Sequence, residues 1–429
     1  MGQFRFLTAG ESHGQGLVAI VEGMVAGVPL AEDYINKELR RRQQGYGRGA
    51  RMKIEEDKAE VISGIRYGLT TGSPIALFIT NRDWQNWQQQ LSVSPVEKEA
   101  EPVTRPRPGH ADLAGVTKYG LKDIRPVMER ASARETAARV AVGAVARRFL
   151  EEFGIAVHSR TLAIGHVGCE YFMSHCSEPS TSCHSERSEE SHGAQEKPRE
   201  ERTADWQEVE SSPVRCADAG LEKAMMTAID EAKARGDTLG GVFEAIAVGV
   251  PVGLGSHVSW DRRLDGRIAQ AVMSINAVKG VEIGAGFALA AVNGSQAQDV
   301  IEPAPHVVAR DPASSLPGAS TMRLLPWRHA TNHAGGIEGG ISNGENIVVR
   351  AAVKPIATLV SPLPSIDLRS GEATEAHYER SDICIVPAAG VIGEAMLAIV
   401  LADACLEKFG GDNLKETLAH YRNYLGNIR

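Results

Sequence analysis

The chain has 429 residues, 43% hydrophobic and 23% charged, which suits a globular protein with a sizeable core. Its 46 basic and 54 acidic residues leave a net charge of −8, so a whole-surface basic field for nucleic acid is excluded. No apolar run reaches the ~18 residues of a membrane span, and no basic-then-apolar leader opens the sequence. Six cysteines are too few for a disulfide scaffold, so a reducing, cytoplasmic setting is expected.

Alternation predicts a strand over Gln3–Thr8, and Leu17–Val28 reads as a second, Gly-interrupted one. Glu32–Gln44 reads as a helix closed by Gly45. Val61–Gly64 and Ser73–Asn81 read as strands, and Arg105–Asp123 as a Pro/Gly-punctuated loop. Pro126 is placed in the first turn of one long helix that runs to about Phe153. Residues 174–202 hold seven Ser and seven Glu and no Val, Ile, Leu, Met, Phe, Tyr or Trp. Such a stretch cannot offset its ordering entropy by burial, so a disordered surface insertion is expected there. Asp218–Arg235, Leu264–Lys279 and Gly390–Phe409 read as helices, Glu345–Lys354 as a strand, and the end after Asp412 as a short helix. The most apolar run, Val391–Cys405, carries Glu394 and Asp403.

A faint repeat is visible. Glu22 precedes Gly27-Val28-Pro29 by five residues, and Glu244 precedes Gly249-Val250-Pro251 by the same spacing. Two similar halves sharing one core would produce it.

Several motifs fail. No Walker-type loop occurs, and Gly47-Arg48-Gly49 and Gly253-Leu254-Gly255 lack the third glycine of a dinucleotide fingerprint. Gly10-Glu11-Ser12-His13-Gly14 matches a nucleophile elbow, but such elbows follow several strands, and here only nine residues precede it. Serine hydrolysis through Ser12 is therefore a rival, not the reading adopted. Cys169, Cys176 and Cys183 fall seven apart, wider than zinc pairs, so no metal is expected.

Three clusters carry chemistry. Arg40, Arg41, Arg42, Arg48, Arg51 and Lys53 fall within Leu39–Ile54 with no acid among them. A helix C-terminus accounts for Arg40 and Arg41; Arg42 and Arg48 call for an anionic partner. Arg105, Arg107 and His110 precede Arg125, Arg130 and Arg134, the last two on one face of the predicted helix, with Ser132 near its start. In the third cluster, residues 331–340, four glycines in six residues suggest a flat ligand against backbone; it is followed by Lys354–Thr358 and Arg380-Ser381-Asp382. The residues alone point to acid–base work by His13 and His110 on a small polyanion. An RNA- or anion-binding protein is the non-enzymatic rival, opposed by the negative net charge.

At these residues the chain resembles the chorismate synthase family. The segments are 10–14, Gly-Tyr-Gly-Arg-Gly-Ala-Arg-Met at 45–52, Arg-Pro-Gly-His-Ala-Asp at 107–112, Glu-Arg-Ala-Ser-Ala-Arg-Glu-Thr at 129–136, Gly-Asp-Thr-Leu-Gly-Gly at 236–241, and Arg-Ser-Asp at 380–382. The resemblance covers nearly the whole length. It implies an α+β fold, a β-α-β sandwich with helices between two sheets and two pseudo-repeated halves, as one domain over 1–429 in a homotetramer. It implies a lyase that makes chorismate and phosphate from 5-enolpyruvylshikimate 3-phosphate by a 1,4-elimination dependent on reduced FMN.

By that resemblance His13 protonates the departing phosphate, His110 acts beside the reduced flavin, and Asp382 helps move the proton that reaches it. Arg42, Arg48, Arg107, Arg134 and Arg380 hold substrate anions, and Arg42 and Arg48 also meet NADPH. FMN contacts Arg130, Ala131, Ser132, Asn276, Ala277, Gly339, Lys354, Pro355, Ile356, Ala357, Thr358 and Arg380. Electrons come from NADPH directly or through an external flavin reductase. Two departures stand out: the 174–202 insertion, expected to leave the site intact, and Asn276, where many relatives carry Gln.

Overall fold

The computed structural model describes residues 4–49, 55–169, 206–304 and 325–428. The 174–202 segment, and Arg51 and Lys53 of the basic run, lie outside them. The first half runs β1 (Arg5–Gly10), β2 (Gly16–Glu22), α1 (Glu32–Gln43), β3 (Ala59–Ser63), β4 (Ile75–Thr80), α2 (Asp112–Tyr119), α3 (Arg125–Ala131) and α4 (Thr136–Glu151). The second runs β5 (Ala156–Ile164), α5 (Ala219–Ala234), β6 (Gly241–Val248), α6 (Leu264–Met273), β7 (Val278–Ile283), β8 (Ile347–Val353), α7 (Val386–Phe409) and α8 (Leu414–Asn427). Short two-stranded ribbons decorate the connections.

Both four-stranded sheets are antiparallel and share one order, β1-β2-β4-β3 and β5-β6-β8-β7. In each, the second strand is followed by the Gly-Val-Pro turn, where Gly27 and Gly249 have φ of 88° and 75°, and then by a helix. The sequence repeat is thus a repeat of topology, although the two glutamates differ: Glu22 pairs with Arg5 on the surface and Glu244 is buried.

One apolar cluster takes in the inner face of both sheets and the helices. Leu17, Ala19 and Val21 of β2 and Ile75, Leu77 and Ile79 of β4 alternate inward, as period-two strands must. Helix α4 touches strands of both sheets, and α7 lies on β5 and β6. By length and composition α7 could cross a membrane; here 94% of its apolar window is buried inside the fold. The two acids within its apolar run, Glu394 and Asp403, are both paired. Asp403 meets Arg267, and Glu394 sits among Arg41, Arg147 and Arg215. Burial alone would raise Glu394; the three arginines hold it far below the carboxylate range.

The helices cross with almost no space between them. A Cβ on Gly143 of α4 would overlap Ala395 of α7. Gly143→Leu is therefore expected to lower stability by at least about 1–3 kcal/mol, the cost of overpacking a close-packed core. A chemical-denaturation midpoint equal to wild type would contradict this crossing.

Three local expectations need correction. The single helix from Pro126 is two helices broken at Ser132, which is extended at ψ 140°. Its Oγ accepts from Arg134 N at 3.3 Å, so the cap is filled by the chain itself, and Arg130 and Arg134 do not share a helix face. The 105–123 loop contains α2, and the helix from Leu264 ends at Met273 so that β7 can begin.

Candidate active site

The corner at Ser132 is the hub. Ser12, in the β1–β2 loop, shares a hydrogen bond with Ser132 through their hydroxyls at 3.0 Å, and Ser12 N–H donates to Glu129 O at 3.2 Å. Beside it, Glu129 grips His13 twice. Its carboxylate accepts the His13 backbone N–H at 2.7 Å and lies 2.9 Å from Nδ1. The imidazole stacks on Trp87 with centroids 4.2 Å apart.

From Glu129 a chain of charges leads to the other histidine. Arg125 lies 3.5 Å from Glu129 and pairs with Glu379. Glu379 is 3.9 Å from Arg107, whose Nε donates to Asp112 at 2.8 Å. Asp112, fully buried, bonds His110 Nδ1. Arg107 also donates to Thr358 Oγ1 at 3.1 Å, and Ser381 Oγ donates to Thr358 O at 2.9 Å. Burial would raise Asp112; hydrogen bonds from His110 and Arg107 carry it well below the usual range.

Glu379 follows the same logic. Burial opposes its charge, but hydrogen bonds from His377 and Arg125 and the charges of Arg125 and Arg107 bring it down to about 2. A depressed carboxylate contributes its full stabilisation above its ordinary 4.5 and loses it as pH falls toward the folded value. The stability gap between wild type and Glu379→Gln should therefore shrink as pH drops from about 5 to about 2. Urea titrations at several pH values would read it, and a gap independent of pH would contradict the ionic chain.

A second, deeper cluster surrounds Asp57, which is fully buried. Arg42 donates to Asp57 at 3.0 Å, to Thr136 Oγ1 at 3.0 Å and to Ala133 O at 3.1 Å. Arg134 pairs with Asp57 and donates to Asn81 Oδ1 at 3.0 Å. Burial holds Arg42 down to about 10, with Asp57 opposing and Arg48 and Arg134 adding to the effect. Arg48 lies 3.1 Å from Asp382, whose other oxygen accepts Gly49 N–H at 2.6 Å. The anion that Arg42 and Arg48 called for is thus partly supplied by the protein. Arg41 also departs from expectation. Instead of a solvated helix end, it is buried among Glu38, Glu210 and Glu394.

Some of the residues proposed for FMN are joined by hydrogen bonds. Arg130 donates to Thr8 O at 3.0 Å. Asn276 Nδ2 donates to Ala131 O at 3.0 Å, and Lys354 N–H donates to Ala277 O at 2.9 Å. Ala277 itself has φ 68°. Lys354 is close enough to Gly109 to crowd a Cβ there. Arg380 is exposed and makes no ion pair among the described residues. Neither Arg380 nor Gly339 is joined to this set by a hydrogen bond or ion pair among the described residues. Of the four glycines there, 335, 336 and 340 are filled by other parts of the chain, and only Gly339 faces open space. The flat-ligand reading of that loop thus reduces to one position.

Sequence reasoning missed Trp87, Glu129, Glu379 and Asp57 as site residues. Asp112 stood in a quoted motif without a role. The available signal for Glu129 was its place four residues after Arg125 on one helix face.

The family model described as chorismate synthase matches residues 4–406. The chorismate synthase of Moorella thermoacetica is 52% identical over 430 residues, covering 99% of this chain and 100% of that protein. Those of Solibacter usitatus and Aquifex aeolicus are 50% and 51% identical, each over 99% of this chain. A crystal structure of chorismate synthase superimposes with a TM-score of 0.72 at 42% identity, covering 99% of this chain and 98% of that one. The chain belongs to the chorismate synthase family, the lyases that form chorismate in the shikimate pathway.

Proposed function

We propose that the chain converts 5-enolpyruvylshikimate 3-phosphate to chorismate and phosphate by a 1,4-elimination that needs reduced FMN. The observation that carries the reading is the pairing of two imidazoles, His13 and His110, each tied through Nδ1 to a buried carboxylate and joined by one ionic chain. Arginines gather beside it. A proton donor near neutral pH and cations for a phosphate and two carboxylates are what this elimination requires.

The residues present fit a flavin nucleotide. Asn276 Oδ1 is buried without a hydrogen-bond partner, an acceptor open to a hydroxyl or N–H of the group and not to its phosphate. Lys354 is pushed below its ordinary range by burial and by Lys279, and an anion would relieve that repulsion. Arg130–Ser132, Asn276, Ala277, Gly339, Lys354–Thr358 and Arg380 would hold the group. When bound, reduced FMN supplies the transient electron density that eases phosphate departure. His13 gives a proton to the leaving phosphate. Arg107, Arg134 and Arg380 orient substrate anions; Arg134 Nη2 makes no hydrogen bond and faces Glu55 at 3.8 Å. His110 would hold, and Asp382 would help move, a proton where the cofactor is bound.

We place NADPH on Arg48 and Arg42 as one electron source and an external reductase as the other. A homotetramer is part of the same proposal. It is supported by Leu7 and Ile20, cross-strand partners that are 68% and 43% exposed on the outer sheet face.

Anaerobic titration with reduced FMN tests the cofactor assignment. Lys354→Ala and Arg380→Ala are each expected to weaken binding about tenfold or more, the worth of a charge-assisted hydrogen bond. Unchanged affinity in both would contradict it.

A further inference from the structure

His13 is held unevenly. Its Nδ1 faces the Glu129 carboxylate at 2.9 Å, while Nε2 has no hydrogen-bond partner among the described residues. The Glu129 side chain is 1% exposed and His13 is 13% exposed. An ionised carboxylate can only accept, so Nδ1 must donate. The same carboxylate also takes the His13 backbone N–H at 2.7 Å, which fixes where the ring starts as well as which nitrogen it commits. Trp87 fixes the ring plane by stacking. Arg125 lies 3.5 Å from Glu129 and 5.1 Å from the Trp87 ring centroid, which helps hold both the carboxylate and the indole in place.

We propose that Glu129 is the positioning residue for His13, holding Nδ1 as the donor so that Nε2 is the atom that delivers the proton. The inference rests on the reading of His13 as the acid for phosphate departure. The step balances simply. The Nε2–H bond of the imidazolium breaks and an O–H bond forms on the departing phosphate. The ring is left as the neutral Nδ1–H form and Glu129 stays anionic. Glu129 touches neither substrate nor cofactor in this scheme; it acts through the ring, as the carboxylate behind a catalytic histidine does in general.

The charged and titratable groups around this pair are few. Glu11, on the same loop as His13, is raised by burial and by Glu129. Arg125 is on the helix that carries Glu129. From the 82–87 turn, Asp83 accepts the Trp87 indole N–H at 3.3 Å.

The test is nitrogen NMR of histidine-labelled protein, with the His13 signal identified by its loss in His13→Ala. Wild type should show neutral His13 as the Nδ1–H tautomer. In Glu129→Gln the amide oxygen can keep that tautomer. In Glu129→Ala the Nε2–H tautomer should appear. Turnover in Glu129→Gln should fall about tenfold or more in kcat with KM within about twofold.

An Nε2–H tautomer in wild type would overturn the proposal, and that measurement needs no variant to fold. So would an unchanged Nδ1–H tautomer in Glu129→Ala. Should the tautomer behave as stated while His13→Ala turns over at the wild-type rate, the positioning stands and the reading of His13 as the acid fails.

Discussion

His13→Ala is expected to lose about 100- to 10,000-fold in turnover, the usual worth of a positioned general acid, while its fold and flavin affinity persist. The ring meets the protein chiefly through Glu129 and Trp87. Once it is gone, Glu129 still has Arg125 and the backbone N–H of residue 13. The structural penalty is therefore small and the chemical one large. His110→Ala should behave alike, because Asp112 retains Arg107 as its partner. Steady-state rates under reduced flavin, with circular dichroism and flavin titration as controls, read both. Wild-type turnover in either variant would remove that histidine from the chemistry.

Asp57→Ala is expected to cost about 3–5 kcal/mol of stability, the usual result of stripping the partner from a buried ion pair. Asp57 is fully buried and serves two guanidiniums, which are themselves nearly inaccessible. Arg42 already feels the like charge of Arg134 and Arg48. Removing the carboxylate leaves cations facing one another out of reach of water. Activity should fall as well, since Arg42 also holds Ala133 O and Thr136 at the corner beside Ser132. Asp57→Asn keeps a hydrogen-bond acceptor and should recover part of the loss. Denaturant midpoints at neutral pH measure it, and a loss within about 1 kcal/mol would contradict the burial argument.

The strands of the first half were legible because Gln3–Thr8 alternates and because Leu17–Val21 and Ile75–Ile79 are short, continuous apolar runs. The repeat was legible through two Gly-Val-Pro turns, and it led to the shared strand order. In the second half β5, β6 and β7 escaped notice, and only β8 was read as a strand. Ala156–Ile164 is broken by His158, Ser159 and Arg160, whose polar groups are satisfied by stacking on Trp206, by Glu394 and by Glu244. Those partners lie far along the chain, so the local pattern carries no trace of them. Long range also explains the arginine run. Arg41 and Glu394 are 353 residues apart in sequence, and an acid-free stretch looks uncompensated until the fold closes. The break at Ser132 was hidden because Pro126 and the residues after it are all tolerated in a helix. What ends the helix is the contact of Ser132 with Ser12 and Arg134 N. The histidines and arginines could be picked out by type and motif, whereas the carboxylates that orient them could be found only in three dimensions.

The central claim is most directly tested without oxygen. Purified protein, chemically reduced FMN and 5-enolpyruvylshikimate 3-phosphate would be mixed, and chorismate and phosphate followed together. The account predicts equal release of both, dependent on protein and on reduced flavin, with no net oxidation of the flavin. Phosphate released without chorismate, or product formed equally well with oxidised flavin, would contradict it.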